Sequence, residues 1–328
     1  MTSLPHIQVF ALGGTIAMTP GAASASPGVV PSLTATDLVA GVPEIAKVAH
    51  VTAETLMQVG SANLTLAHVA EVCRRAEAGS AAGYVVTQGT DSMEETAFAA
   101  FLLYEGDAPI VFTGAMRSAN IPGADGAANL LAAIRVAASG GAPHVSVVMN
   151  DEIHDPARVR KSHTSSVAAF TSSGGPEGQI VEGRVFLRGP LPVRHAPMKL
   201  DAAKAQPVAL LTATLDDTTA LVEALPSLGY KGAVIAAYGG GHLSEPWADA
   251  AAKLAAEMPV VLATRTGAGR VLEKSYGYRG AEIDLIERGL IPSGGLDTRK
   301  ARILLSLLLG SYGTEDAKAR FYGFASGI

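Results

Sequence analysis

The chain of 328 residues is 48% hydrophobic and only 17% charged, which excludes intrinsic disorder and supplies enough apolar surface for one or two buried cores. A formal net charge of -5 argues against a nucleic-acid or anionic-membrane surface, and Cys73, the only cysteine, leaves no intramolecular disulfide and no thiolate metal cluster. The N-terminus lacks the basic segment of a signal peptide. The longest apolar run, Ala97 to Tyr104, is far short of the roughly 20 residues a spanning helix needs. A cytoplasmic protein is the expectation.

The first strand is expected over Ile7 to Leu12, followed by a Pro/Gly/Ser/Ala stretch, Thr19 to Pro31, too weakly patterned for an element. Helix 65–78 then leads to strand 83–87, helix 93–104 to strand 109–113, and helix 125–138 to strand 144–149. These strands are short, β-branched and continuous rather than alternating, as expected when helices cover both faces. Repeated units of this kind predict a doubly wound, mainly parallel α/β sheet. Residues 150–190 are richer in Gly, Ser and charge, and Gly178 to Val185 reads as a meander or hairpin. Four prolines between Gly189 and Pro207 place a linker there.

Alternation resumes with strands Val208 to Leu211 and Gly232 to Ala236 around helix 217–226, then helix 246–257, strand Val260 to Ala263 and a last helix from Asp297 to Leu309. The expected organisation is a larger N-terminal α/β domain over 1–189, a linker over 190–207 and a smaller C-terminal α/β domain over 208–328. Arg299, Lys300 and Arg302 sit in the first half of the last helix, unfavourably for its dipole, so salt-bridge partners are expected for them.

Two strand ends carry candidate chemistry. Leu12-Gly13-Gly14-Thr15-Ile16-Ala17 and Gln88-Gly89-Thr90-Asp91-Ser92-Met93-Glu94-Glu95 each follow an apolar strand with glycine and then threonine. The carboxyl ends of parallel strands are where an open α/β sheet presents its ligand crevice. Gly13-Gly14 fits a phosphate-cradling loop, a sharp turn exposing Thr15, or a plain tight turn; neither full phosphate-loop pattern is present. Asp91 or Ser92 can cap the following helix, and Glu94 and Glu95 suit its first turn. Capping leaves Thr90 unexplained. A threonine hydroxyl needs a base to become a nucleophile. Lys161, in the polar segment Arg158 to Thr164, is a candidate, although a lysine in such a loop is usually solvated. His154 and His163 show no metal-ligand spacing. Gly239-Gly240-Gly241-His242 follows a strand and reads either as a flexible loop or as a close backbone approach to a ligand.

Together with Thr113-Gly114-Ala115-Met116-Arg117, Ala124 to Leu130, Val147 to Asp151 and Lys300 to Leu305, these segments occur in the order of the bacterial-type L-asparaginases. The chain resembles that family from about Ile7 to the C-terminus. The resemblance implies hydrolysis of the side-chain amide of L-asparagine to aspartate and ammonia, with no cofactor and no metal. It implies that Thr15 is a nucleophile on a mobile loop, and that Thr90 lies beside the substrate amide with Lys161 as proton acceptor. Asp91 would hold the substrate ammonium or the lysine, and either threonine could form the acyl-enzyme. Ser61 and Gly89 would bind substrate, and main-chain N–H groups near the two threonines would form an oxyanion hole. The family assembles as a homotetramer of intimate dimers, in which Glu282 would reach a neighbour's site and pair with the substrate ammonium.

The departures fall around the site. Leu12 stands where the family has threonine, and Gln88 where it has histidine. The stretch Thr19 to Pro31 has no tyrosine, Ala62-Asn63 follows Ser61 where an amino-group ligand is usual, and His242 replaces an asparagine of some members. Asn63 is the expected substitute ligand. The alternatives are an amidase acting on L-glutamine or another amide, and a non-catalytic amino-acid-binding protein with a decayed site. Transfer-RNA amidation in the family uses an added N-terminal domain, so with few residues ahead of Ile7 a free amide is the expected substrate.

Overall fold

Short β-branched runs with two faces to cover become inner strands, and the glycines and prolines between them set the turns. The computed structural model describes residues 3–20, 29–31, 33–189 and 198–328. The chain forms two compact units, Met1–Met198 and Lys199–Ile328. The first begins with β1 (His6–Ala11), β2 (Met18–Pro20), β3 (Val29–Pro31), α1 (Ala35–Ala40), β4 (His50–Thr55), α2 (Leu66–Ala78), β5 (Gly83–Thr87) and α3 (Met93–Leu103). It continues with β6 (Ile110–Thr113), α4 (Gly126–Ala137), β7 (Val145–Met149), β8 (Glu152–His154), β9 (Val159–Lys161), β10 (Phe170–Ser172), β11 (Gly178–Val181) and β12 (Arg184–Leu187).

Eight of these strands form one sheet in the order β12-β11-β8-β7-β6-β5-β1-β4. The five strands from β7 to β4 are parallel, whereas β8, β11 and β12 join antiparallel at one side. The inner strands β5, β6 and β7 are buried at every position. Their neighbours include Leu130, Ile134 and Val136 of α4 on one face. β9 and β10 pair separately as a small antiparallel ribbon.

The second unit holds β13 (Val208–Thr212), α5 (Ala220–Ala224), β14 (Gly232–Ala237), α6 (Glu245–Glu257), β15 (Val260–Thr264), α7 (Glu282–Glu287), β16 (Ile291–Pro292), α8 (Thr298–Tyr312) and α9 (Thr314–Ala325). Its four strands are parallel in the order β13-β14-β15-β16. Trp247, Ala251 and Leu254 of α6 pack against the sheet core around Ile235 and Leu262. The protein is thus a two-domain α/β structure, with the larger, mainly parallel sheet first.

Several elements differ from the sequence reading. The stretch expected to carry no element contributes β2 and β3, an antiparallel pair in which Met18 faces Pro31; residues 21–28 of that stretch lie outside the described residues. Three-residue strands hold by pairing with each other, so no periodicity announces them. β4 was hidden because its sequence, HVTAET, is largely polar and its side chains alternate in exposure, as suits the edge it occupies. α1 has a capping box between Thr34 and Asp37 that marks its start in only six residues. The helix expected over 217–226 is the much shorter α5.

Of the expected linker, residues 190–197 lie outside the described residues. Residues 199–207 are tied to the second unit instead: Asp201 N–H donates to Ser311 Oγ at 3.0 Å, and Gln206 N–H to the Ser306 carbonyl at 3.0 Å. The basic residues of α8 do find partners. Arg299 pairs with the cap residue Asp297 at 3.3 Å, Arg302 donates to the Val208 carbonyl at 3.1 Å, and Lys300 is buried. Burial pushes the Asp297 carboxyl up, but the charges of Lys300 and Arg299 outweigh it and hold it below its ordinary value. Cys73 lies on the buried face of α2, where burial pushes its thiol up and disfavours the reactive thiolate.

Candidate active site

β1 and β5 are parallel neighbours in register, Ala11 opposite Thr87, so the two glycine-threonine turns emerge side by side from the carboxyl edge of the sheet. Leu12 N–H donates to the Thr87 carbonyl at 2.8 Å and extends the pairing one residue past β1. Gly14 then turns with φ +84°, and a Cβ there would lie 2.0 Å from Gly89 N. Only glycine satisfies both the left-handed backbone and the contact. The backbone of one turn therefore rests on that of the other. Thr15 opens a single 3-10 turn, Thr15–Ala17, in which Ile16 and Ala17 are buried and Thr15 is half-buried.

The second turn is anchored from below and from the side. Gln88 is fully buried; its Nε2 donates to the Gly89 carbonyl at 3.0 Å, and its Oε1 accepts from Thr96 Oγ1 at 2.8 Å. This departure from the family pattern thus braces the turn rather than facing the site. Ser61 Oγ accepts from Asp91 N–H at 3.2 Å, and Ser92 Oγ donates to the Ser61 carbonyl at 2.7 Å. A Cβ on Gly89 would lie 2.7 Å from Ser61 Oγ, so the serine sits directly against the glycine. Ala62 and Asn63 follow on the exposed side of the same short turn.

Lys161, at the end of β9, completes the cluster. Its Nζ donates to Thr90 Oγ1 at 2.9 Å and to Asp91 Oδ1 at 2.6 Å. Thr90 is buried, the lysine side chain is 13% exposed and that of Asp91 75% exposed. An ion pair with one partner so open to water adds little stability. Its effect is directional, since it aims the lysine nitrogen at a buried hydroxyl. The structure therefore gathers Ser61, Gly89, Thr90, Asp91 and Lys161 into one constellation, with the Thr15 turn against it through Gly14.

Two other motifs form the scaffold of that edge. The Asp125 carboxylate accepts from the main-chain N–H groups of Met116 and Arg117 at 2.9 to 3.1 Å. Asn129 donates to the Gly114 carbonyl and accepts from Asn150 N–H, each at 3.0 Å, so it links the ends of β6 and β7. An apolar cavity of about 240 Å³ lies beside Ile16, walled by Leu38, Val42, Ala115 and Leu130. None of the polar cluster lines it.

Glu282 lies in the second unit, at the start of α7, and is fully buried. Its Oε1 accepts from the N–H groups of Ser275 and Tyr276 at 2.8 and 2.7 Å, and its Oε2 lies 3.2 Å from His242 Nε2. Burial pushes this carboxyl up, but the amides of Tyr276 and Ser275, with His242, outweigh it and hold it below the usual carboxylate range. His242 Nδ1 is 3.2 Å from the Tyr278 hydroxyl, and its ring stands edge-on to Tyr276. Glu282 thus holds three hydrogen-bonding contacts inside its own unit.

Sequence reasoning missed one participant. Glu94, assigned to the helix dipole, is buried and its Oε2 accepts from Lys161 N–H at 3.0 Å. Its residue type gave no signal, because a glutamate in the first turn of a helix is already explained by the dipole. Among the described residues, no group of three or more His, Cys, Asp or Glu side chains could hold a metal ion. Among them, no helix is long and apolar enough to cross a membrane.

Comparison with known proteins gives the family. The family model "Asparaginase, N-terminal" matches residues 6–192, and "Glutaminase/Asparaginase C-terminal domain" matches residues 207–321. The chain belongs to the asparaginase family. It is 34% identical to L-asparaginase 2 of Escherichia coli over 322 residues, covering 94% of this chain and 89% of that protein. It is 36% identical to a probable L-asparaginase of Deinococcus radiodurans, covering 94% of each. It is also 30% identical to a glutamyl-tRNA(Gln) amidotransferase component of Methanococcus maripaludis, covering 96% of this chain and 78% of that protein. A crystal structure of a probable cytoplasmic L-asparaginase from Campylobacter jejuni superposes with a TM-score of 0.86 at 28% identity, covering 98% of this chain and 99% of that one.

Proposed function

We propose that this member of the family hydrolyses the side-chain amide of L-asparagine through a threonine ester. The observation that carries the reading is the Lys161 nitrogen 2.9 Å from the buried Thr90 hydroxyl and 2.6 Å from Asp91. That places an amine against a buried hydroxyl, the proton-transfer pair that acyl transfer to a neighbouring threonine requires. A threonine oxygen attacks the amide carbon, the C–N bond breaks, and the hydroxyl proton passes by way of Lys161 to the departing ammonia. Water then adds to the ester carbon, restores the hydroxyl and releases aspartate. Main-chain N–H groups at the Thr15 and Thr90 turns stabilise the oxyanion of each step. Ser61 receives the substrate carboxylate, and Asp91 its ammonium.

Thr15 is the attacking residue in this reading, and the Thr90–Lys161 pair handles the proton. Its place on a short turn that rests through Gly14 on Gly89 lets it reach a substrate lying over the second turn. The cytoplasm is the compartment assigned, in keeping with the likeness to the Campylobacter protein.

Ammonia release from L-asparagine, L-glutamine and other amides by wild type, Thr15→Ala, Thr90→Val and Lys161→Met tests the proposal. Each substitution is expected to lower kcat by about 100-fold or more, the usual cost of losing an acid–base partner. Acid quenching during turnover, followed by peptide mass spectrometry, is expected to find the acyl group on Thr15. Near-full rates in Thr90→Val or Lys161→Met would overturn the mechanism, and faster turnover of another amide would overturn the substrate.

A further inference from the structure

We propose that Glu94 is the positioning residue for Lys161, holding the main chain of the lysine while Thr90 and Asp91 hold its nitrogen. The inference rests on the reading of Lys161 as the proton-transfer group. Lys161 is the last residue of a three-residue strand paired only with β10, and such a ribbon does not by itself fix a long side chain. Its N–H donates to Glu94 Oε2 at 3.0 Å, and its Nζ contacts Thr90 and Asp91. All three partners lie within five residues of one another, at and just before the start of α3. The lysine is therefore bound at both ends to the same rigid turn that carries the threonine.

A helix-dipole role alone does not account for Glu94. A glutamate serving only the dipole works from the solvent side, whereas Glu94 is 3% exposed. Burying a carboxylate is costly unless hydrogen bonds satisfy it. Here the acceptor is spent on an amide 67 positions away, in the strand that ends with the candidate base. The arrangement sets the distance between α3 and β9, and so the reach of the lysine nitrogen to Thr90. Displacing a reacting group by about 1 Å can lower a rate about 100-fold.

The test compares wild type, Glu94→Ala, Glu94→Gln and Lys161→Met by steady-state kinetics on L-asparagine and by amide hydrogen exchange over residues 159–162. Glu94→Ala is expected to lower kcat by about 100-fold while KM changes less than about threefold, and to speed exchange of the Lys161 amide by about tenfold or more. Glu94→Gln, which keeps a carbonyl acceptor, is expected to restore kcat to within about fivefold of wild type. Rates are normalised to folded protein, so lost stability alone leaves kcat unchanged. Full kcat in Glu94→Ala with Lys161→Met inactive overturns this inference only, as does unchanged exchange at Lys161. A glutamine no better than alanine also overturns it, because charge rather than the hydrogen bond would then be the cause. Full turnover in Lys161→Met overturns the underlying reading instead.

Discussion

At the scale of single residues, the shape of the two turns depends on a backbone contact. Gly14 is the sharpest case: its φ of +84° and the 2.0 Å approach a Cβ would make to Gly89 N are two separate barriers to any side chain. Gly14→Ala is expected to push the Thr15 turn off the Thr90 turn and to lower kcat/KM for L-asparagine by about 100-fold. The cost in stability is expected to be about 1–3 kcal/mol from the strained backbone, readable by urea unfolding. A variant with wild-type kinetics would show that the two turns need not touch. Thr15, Thr90 and Asp91 stood out in the sequence because each sits in an ordered motif, and Lys161 through the family resemblance alone; the structure brings Thr90, Asp91 and Lys161 together. Glu94 and Gln88 did not stand out, since helix capping and a strand end already explained their residue types. What distinguishes them is burial and a distant partner, which only the folded chain supplies.

At the scale of elements, the ribbon of β9 and β10 has a second anchor besides α3. His154 of β8 is buried, and its Nδ1 lies 3.0 Å from Ser172 Oγ at the end of β10. Its Nε2 is 3.6 Å from the half-buried Glu152 carboxylate, too far for a good hydrogen bond. Burial lowers the pKa of this imidazole from 6.5 to about 4. The unfolded chain then takes up a proton near pH 6.5, while the folded chain resists until about pH 4. Stability is accordingly expected to fall as pH drops through that window and to level off below it, by roughly 1.4 kcal/mol per pH unit. Urea titrations at several pH values, on wild type and His154→Gln, check this: the slope is expected to be shallower in the variant. The inner strands and the helices that follow them were legible because continuous apolar runs and 3.6-residue periodicity leave few alternatives, whereas α9, beyond the helix expected to be last, was missed. The ribbons β2–β3 and β9–β10 were not legible, because three-residue strands owe their existence to a partner rather than to their own pattern.

At the scale of the whole molecule, the sequence foresaw a larger α/β layer followed by a smaller one. Its division was blurred by the prolines, which marked a broad linker. Hydrogen bonds from Asp201 and Gln206 to α8 show why 199–207 belongs to the second unit: a proline-rich segment can be bound to a helix without having any periodicity. The family models cover both units, so the chemistry read from the first unit is set in a chain similar to its relatives nearly end to end. The departures that remain, Ala62-Asn63 and His242, sit on an exposed turn and in a second-unit aromatic cluster respectively.

The lone thiol gives the chain a built-in stopwatch. Cys73 is 3% exposed on the inner face of α2, so a water-soluble disulfide reagent can modify it only when that helix lifts or the whole unit opens. Labelling of native protein is expected to be slow and to accelerate in parallel with global unfolding in urea. If aspartate binds the folded chain as the proposed reaction requires, it is expected to slow labelling further in proportion to its occupancy. Rapid modification without denaturant would show that α2 opens on its own. With no other sulfur nucleophile to share the signal, every variant named above can be timed by the same colour change.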